Sequence, residues 1–287
     1  MQNNDKNKKS VRLNILKDRI FFITIIGLSL ITVVPLILIL FYITKNGILF
    51  VSLDLFTKLP KATGELGGGI FNAIVGSLII VSISAVIAIP VGILSGIYLS
   101  ENQESRLGQF ARVAVDVLQG VPSIILGIIA YVWIVLPSGG FSAISGSVAL
   151  AMMMLPLIIK NTEETLKLIP YSVKEAAYSL GVPYYKVVLR VVLPAGLSGI
   201  LTGVLVGIAR IMGETAPLLF TSFGNPYTEL NPFKPMETIP HIIFTYATSP
   251  YTDWQNIAWG ASFILVAFVL FLNLIAKVVA SKWKVKF

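Results

Sequence analysis

The sequence predicts an all-α membrane protein of six transmembrane helices with both termini cytoplasmic. Three observations predict it. The 287-residue chain is 55% hydrophobic and only 13% charged, with a mean hydropathy of +0.84, whereas soluble domains carry about 25% charged residues. Several runs reach the roughly 20 apolar residues that a helix needs to cross a bilayer. None shows the alternating ten-residue segments of an outer-membrane barrel. The net charge of +8 is gathered at the two ends and in particular loops, as basic residues do on the cytoplasmic side. That distribution marks a lipid membrane as the partner and argues against nucleic acid.

In chain order, residues 1–19 predict a mobile basic tail carrying Lys6, Lys8, Lys9, Arg12, Lys17 and Arg19. Residues 20–43 are the first transmembrane helix, too long for a signal-peptide core and followed by no small-residue cleavage site, so a retained anchor. Residues 44–69 form an extracytoplasmic loop ending in GELGGG, whose glycines suit turns. The second span lies within 70–100, with Pro90 as a candidate kink and Gly92 and Gly96 as a small-xxx-small pair. A charged loop follows at 101–112. The third span is expected over 113–136, with Arg112 and Asp116 paired four apart at its boundary. The fourth is a short run over 144–159. Residues 160–192 form the longest interior polar stretch, and its Lys160, Lys167, Lys174, Lys186 and Arg190 place it in the cytoplasm. The fifth span begins near Leu193, and a loop rich in Pro, Asn, Thr and aromatics covers 221–255. The sixth span is 256–280, and a basic tail closes the chain at 281–287, with Lys277, Lys282, Lys284 and Lys286 at this end. The outer loops then hold only Lys45, Lys58, Lys61 and Lys234 as basic residues.

Cysteine is absent, which excludes disulfides, thiol nucleophiles and cysteine-held metals. No His/Asp/Glu group has metal-ligand spacing. The single histidine is His241, for which surface or packing duty is expected. Glu163 and Glu164 read as a solvated surface or a helix start. There is no Walker A sequence, so the chain does not bind ATP by that route. It reads as a non-enzyme without a cofactor of its own.

Functional chemistry concentrates in Gly199 to Pro217, GILTGVLVGIARIMGETAP. It reads as one apolar helix on which Arg210 and Glu214, four apart, share a face. Gly199, Gly203 and Gly207 continue that face at a spacing that admits a neighbouring helix closely. Charge at mid-membrane depth costs about 2.5–3.5 kcal/mol on insertion scales. Two readings stay open. The pair is an intramembrane salt bridge that fixes packing, or Arg210 faces a pathway and holds an oxyanion through its bidentate fork while Glu214 positions it and weakens the hold enough for release.

The other informative stretch is Glu175 to Pro194, EAAYSLGVPYYKVVLRVVLP. Val173, Ala176, Ala177 and Leu180 make a small apolar stripe, Gly181 stops the helix and Pro183 breaks it, and a second helix then leads into the fifth span. A helix lying on lipid and a helix docked in a partner's groove are both compatible with this pattern.

The pattern E-A-A-x3-G-x9-I-x-L-P resembles the signature of binding-protein-dependent ABC importer permeases. Glu175, Ala176, Ala177, Gly181, Leu193 and Pro194 match it, and Val191 stands where Ile is usual. ARIMGETAPLLFTSFG, GVPSIILG and YATSPYTDWQNIAWGA are similar to the phosphate-specific branch. The resemblance implies a type I importer permease core over 70–280, with the first span packed outside it. It also implies that Glu175, Ala176, Ala177 and Gly181 contact a cytoplasmic ATPase. The implied partners are a homologous permease subunit, two ATPase copies carrying ATP and magnesium, and an extracytoplasmic phosphate-binding protein. The implied location is the cytoplasmic membrane of a prokaryote. Permeases for molybdate, sulfate or phosphonate are the alternative; a secondary transporter would not need the Glu175 loop, and no internal repeat of the kind many of them show is evident.

Overall fold

The computed structural model describes residues 2–282 except 63 and 66, and only the backbone of residues 2–13 and 282. The side chains of Lys6, Lys8, Lys9, Arg12, Lys282, Lys284 and Lys286 therefore lie outside the described residues.

Helix α1 (Gln2–Gly47) takes in the expected basic tail: the backbone is helical from Gln2 and runs unbroken into the first span. No Gly or Pro interrupts residues 2–26, so nothing in this Lys- and Asn-rich stretch stops a helix that the apolar span stabilises. None of the span's apolar window is buried. Its last turns make contact with the helix Thr252–Lys282, where Tyr42 meets Trp259 edge-on at 5.3 Å and Gly47 lies against the Trp259 carbonyl and Phe263.

A short helix α2 (Leu53–Thr57), capped by Ser52 accepting from the Leu55 N–H, buries Leu55. Helix α3 (Phe71–Glu101) then forms the centre of the fold with α6 (Ala143–Lys167). Their contact is made of small residues. Ile158 fills the space beside Gly92, and Ile159 and Thr162 the space beside Gly96. Two buried hydroxyls cross reciprocally: Ser84 donates to the Ser147 carbonyl at 2.9 Å, and Ser147 to the Ile80 carbonyl at 3.1 Å. Such crossings hold apolar helices together where the hydrophobic effect no longer drives association.

The expected third span is two helices, α4 (Arg106–Gly120) and α5 (Ser123–Ser138), bent by 104°. Pro122 lacks an N–H and pushes Val121 to an extended conformation, φ −71° and ψ 128°, so GVP separates rather than kinks. Among the described residues, five helices are long and apolar enough to cross a membrane, and the bent pair makes a sixth if counted as one span.

The fourth span is longer than expected, because α6 continues through residues 160–167. Its polar end stays helical because those side chains find partners on α4 and elsewhere. After Leu168–Pro170 comes α7 (Tyr171–Ser179). Helix α8 (Tyr184–Ile211) starts nine residues before the expected Leu193 and carries a π-helical turn at Val188–Val192. The short helix, turn and second helix expected within 160–192 are all present, and the second is continuous with the fifth span.

Helix α8 ends at Ile211, correcting the single helix through Pro217. A helix continued through Pro217 would set its ring against the carbonyl of residue 213 and lose an N–H bond. The chain instead turns, with the Gly213 N–H donating to the Arg210 carbonyl and the Glu214 N–H to that of Ile211. A single turn, α9 (Ala216–Leu219), follows. The expected loop 221–255 contains α10 (Ile239–Ala247), which packs with α11 (Thr252–Lys282) in a cluster holding Ile70, Ile242, Tyr246 and Ala258.

Candidate translocation and coupling sites

One side of α8 faces α6 through its glycines. A Cβ at Gly196 would lie 2.5 Å from Leu166 Cδ2, one at Gly203 2.6 Å from Asn161 Cβ, and one at Gly207 3.2 Å from Met154 Cγ. Gly199 lies against the Thr165 side chain. Arg210 stands in the last helical turn, where a cation suits the negative end of the helix dipole. Its side chain is 46% exposed, with Nε 4.0 Å from Glu214 Oε1. Since Glu214 lies beyond the helix end, the two do not share a helical face. At 4.0 Å there is no hydrogen bond; Glu214 is the charged partner of Arg210 among the described residues, and the guanidinium fork remains available. Glu214 lines a small cleft with Ser77, Leu150, Leu218 and Thr238, and the Thr238 hydroxyl is buried without a partner.

The opposite region is built on α7. Val173, Ala177 and Tyr178 turn inward onto a cluster containing Ile97, Leu166, Ile169 and Val187. Glu175 and Ala176 face outward, with Tyr171 at 65% and Leu180 at 83% exposure. The expected stripe of Val173, Ala176, Ala177 and Leu180 is thus divided between two sides, which sequence spacing alone did not separate. Gly181 sits at φ +74° with open space around it, and its N–H donates to the Tyr178 carbonyl at 2.9 Å while that of Val182 reaches Ala177. This left-handed close is what glycine permits and L-residues resist.

Behind α7 lie ion pairs that the sequence did not reveal. Lys174 Nζ is 2.5 Å from Glu101 Oε1, with side chains only 13% and 10% exposed. Arg112 does not pair with Asp116. It donates through Nε to Glu163 at 2.7 Å and through its terminal nitrogens to the carbonyls of Gln103 and Leu99. Lys167 completes the group at 2.6 Å from Glu163, and Asp116 pairs with Lys160 at 2.5 Å. Glu163 is buried, correcting the solvated-surface expectation. Apart from Glu163–Lys167, four apart on α6, these pairs are long-range; for Arg112 the i,i+4 rule found the wrong partner because α4 bends against α6.

On the face holding α10, a cavity of about 510 Å³ is lined by Leu59, Phe223, Tyr227, Glu237, Tyr246 and Trp254 among others. His241 in α10 hydrogen-bonds Glu237 at 2.5 Å and is part-buried. Burial, then the Glu237 charge, pushes the Tyr246 phenol up to about 12.

This is an all-helical membrane protein with five helices long enough to cross a bilayer among the described residues, or six if the bent pair is one span. Residues 88–285 match the family described as "Binding-protein-dependent transport system inner membrane component", and the chain belongs to that family of multi-pass inner-membrane transport components. Its curated relatives include the phosphate transport system permease protein PstA of Yersinia pestis, 41% identical over 93% of this chain and 91% of that one. That of Haemophilus influenzae is 41% identical over 88% and 91%, and a probable one from Methanocaldococcus jannaschii 35% over 92% of each. Among solved structures, an inward-facing MetNI methionine ABC transporter chain superposes with a TM-score of 0.63 at 16% identity, covering 75% of this chain and 95% of its own. That likeness shows the fold.

Proposed function

We propose that the chain is a permease subunit of an ATP-driven, binding-protein-dependent inorganic phosphate importer and supplies half of the translocation pathway. What carries this reading is the 41% identity, over 93% of the chain, to a protein named for phosphate transport. The partners are a homologous permease subunit, two copies of a cytoplasmic ATPase that carry the ATP and magnesium, and an extracytoplasmic phosphate-binding protein. The bent α4–α5 pair counts as one span, giving six with both termini cytoplasmic. Basic residues Arg112, Lys160, Lys167 and Lys174 then share the cytoplasmic side.

In this mechanism the outward side of α7, with Glu175 and Ala176 exposed and Gly181 closing the helix, docks on the ATPase; Ala177 packs behind it. Closure of the ATPases pulls the two coupling helices together and opens the pathway outward. Phosphate enters from the docked binding protein, and hydrolysis returns the cavity inward. Arg210 presents its fork to the anion, and Glu214, near but not bonded, orients the guanidinium and keeps binding weak enough for release. Gly199, Gly203 and Gly207 let α8 ride closely on α6. The test is ATP-dependent phosphate uptake by the reconstituted complex with sulfate and molybdate as competitors. Uptake that needs this chain and ignores both competitors is the expected result. Inhibition by either would transfer the substrate to the related oxyanion permeases.

A further inference from the structure

Helix α7 is joined to the rest of the protein by two short turns, Leu168–Pro170 before it and Leu180–Pro183 after it, the second containing left-handed Gly181. Turns of this kind bend easily, so a push on the outward side of α7 would be absorbed there unless something else ties the helix to the bundle. Lys174 supplies a tie. It reaches across 73 positions of sequence to Glu101, the last residue of α3, and both side chains are nearly buried.

Neither residue is where local preference would put it. A carboxylate at a helix C-terminus meets the negative end of the dipole, and lysine is almost never buried unless paired. Each charge is therefore acceptable chiefly because of the other, and removing one leaves its partner uncompensated. Around the pair, Ile97 of α3 packs in the same cluster as Val173 and Ala177 of α7, so the ion pair reinforces an apolar seat. Helix α3 is in turn locked along α6 by the Ser84–Ser147 crossings and the Gly92 and Gly96 contacts.

We propose that Glu101 and Lys174 are positioning residues that form a strut, delivering motion of the coupling helix to the end of α3 and through it to the α3–α6 core. The inference rests on the reading of the chain as an ATPase-coupled permease. Helix α7 then moves with α3 as one body, and the flanking turns do not take up the stroke.

The experiment uses the complete complex in lipid vesicles and reads solute imported per ATP hydrolysed, beside the amount of assembled complex. Lys174→Glu and Glu101→Lys are each expected to lower import per ATP about thirtyfold, the lower end of what breaking a buried charge pair costs, with the ATPase still bound and hydrolysing. The double exchange restores it. Because the chain contains no cysteine, a Glu101→Cys, Lys174→Cys pair bridged by a bis-maleimide, which adds one thiol across each of its two C=C bonds, gives a second readout. A bridged strut keeps coupled import, whereas the unbridged pair loses it. Unchanged import per ATP in both single variants overturns the inference, as does a bridged complex that assembles but imports nothing. If the wild-type complex imports no solute on ATP addition, the permease reading itself fails and the inference falls with it, an outcome distinct from failure of the variants alone.

Discussion

Ion pairs at separate places in the same helical bundle are built in two opposite ways. Lys174 and Glu101 meet at 2.5 Å with both side chains nearly buried, and Arg112 meets Glu163 at 2.7 Å with its other nitrogens on backbone carbonyls. Arg210 and Glu214 are 4.0 Å apart, and the arginine is almost half exposed. At 4 Å two charges still attract by about 4 kcal/mol at an effective dielectric of 20 and about 1 kcal/mol in water. That is enough to orient Arg210 without occupying its donors. The closed pairs act as fasteners, whereas the open pair keeps hydrogen-bonding capacity for something else.

The sharpest way to break this contrast is Arg210→Gln. If its fork donates two bonds to a transported anion, uptake is expected to fall about a hundredfold, the sum of two charged hydrogen bonds, with the amount of assembled complex unchanged. Equal loss of assembly would make the open pair a fastener too. At the closed end, Glu163→Gln leaves Arg112 and Lys167 facing each other without their shared carboxylate. The loss is expected to be about 3 kcal/mol, read as a lower Tm of the purified complex, with import per assembled complex nearly unchanged.

The contrast was only partly legible in the sequence. Apolar runs located the helices, because the bilayer demands length and hydrophobicity that few other structures share. The ends of those helices were less legible. Pro122 and Pro217 were visible, but whether a proline kinks a helix, separates two, or stops one a turn upstream depends on packing around it. At 120–122 the result is a 104° bend, and at 211–217 it takes Glu214 off the helix that carries Arg210. The charged partners were least legible. Arg112 has an acidic residue four positions on, yet Asp116 goes to Lys160 and Arg112 to Glu163, 51 positions away. Burial of Glu163 depends on α4 folding back on α6, which no local pattern records. The outward half of α7 was legible as a motif, whereas the inward turn of Ala177 and the Lys174–Glu101 pair required the tertiary structure.

Smaller effects sharpen the comparison from packing and from the surface. A Cβ at Gly203 would sit 2.6 Å from that of Asn161, so Gly203→Ala is expected to cost about 2 kcal/mol of overpacking, seen as a Tm decrease. Gly120→Ala, with nothing within 4 Å of the added carbon, serves as the control. Asp116→Asn removes a pair whose side chains are 35% and 58% exposed; water screens it, and a change below about 1 kcal/mol is expected. A loss as large as that of Glu163→Gln would show that distance rather than burial sets the strength of these fasteners.

The weakest case is Glu229 in the loop between α9 and α10. The Asn231 N–H, with further help from Lys234 and the Leu230 N–H, holds its carboxyl below the ordinary 4.5. A carboxyl whose value is depressed in the folded state contributes its stabilisation fully above the ordinary value, and loses it as pH falls through the depressed one. Hydrogen exchange at the Leu230 and Asn231 amides should therefore stay slowed on acidification to 4.5, after correction for the intrinsic rate, and quicken only below it. Glu229→Gln should abolish that pH step while leaving phosphate uptake intact, because the loop bonds only to itself through this side chain. A step at or above 4.5 would mean that the turn does not hold the carboxylate, and that exposed pairs in this protein contribute even less than the comparison assigns them.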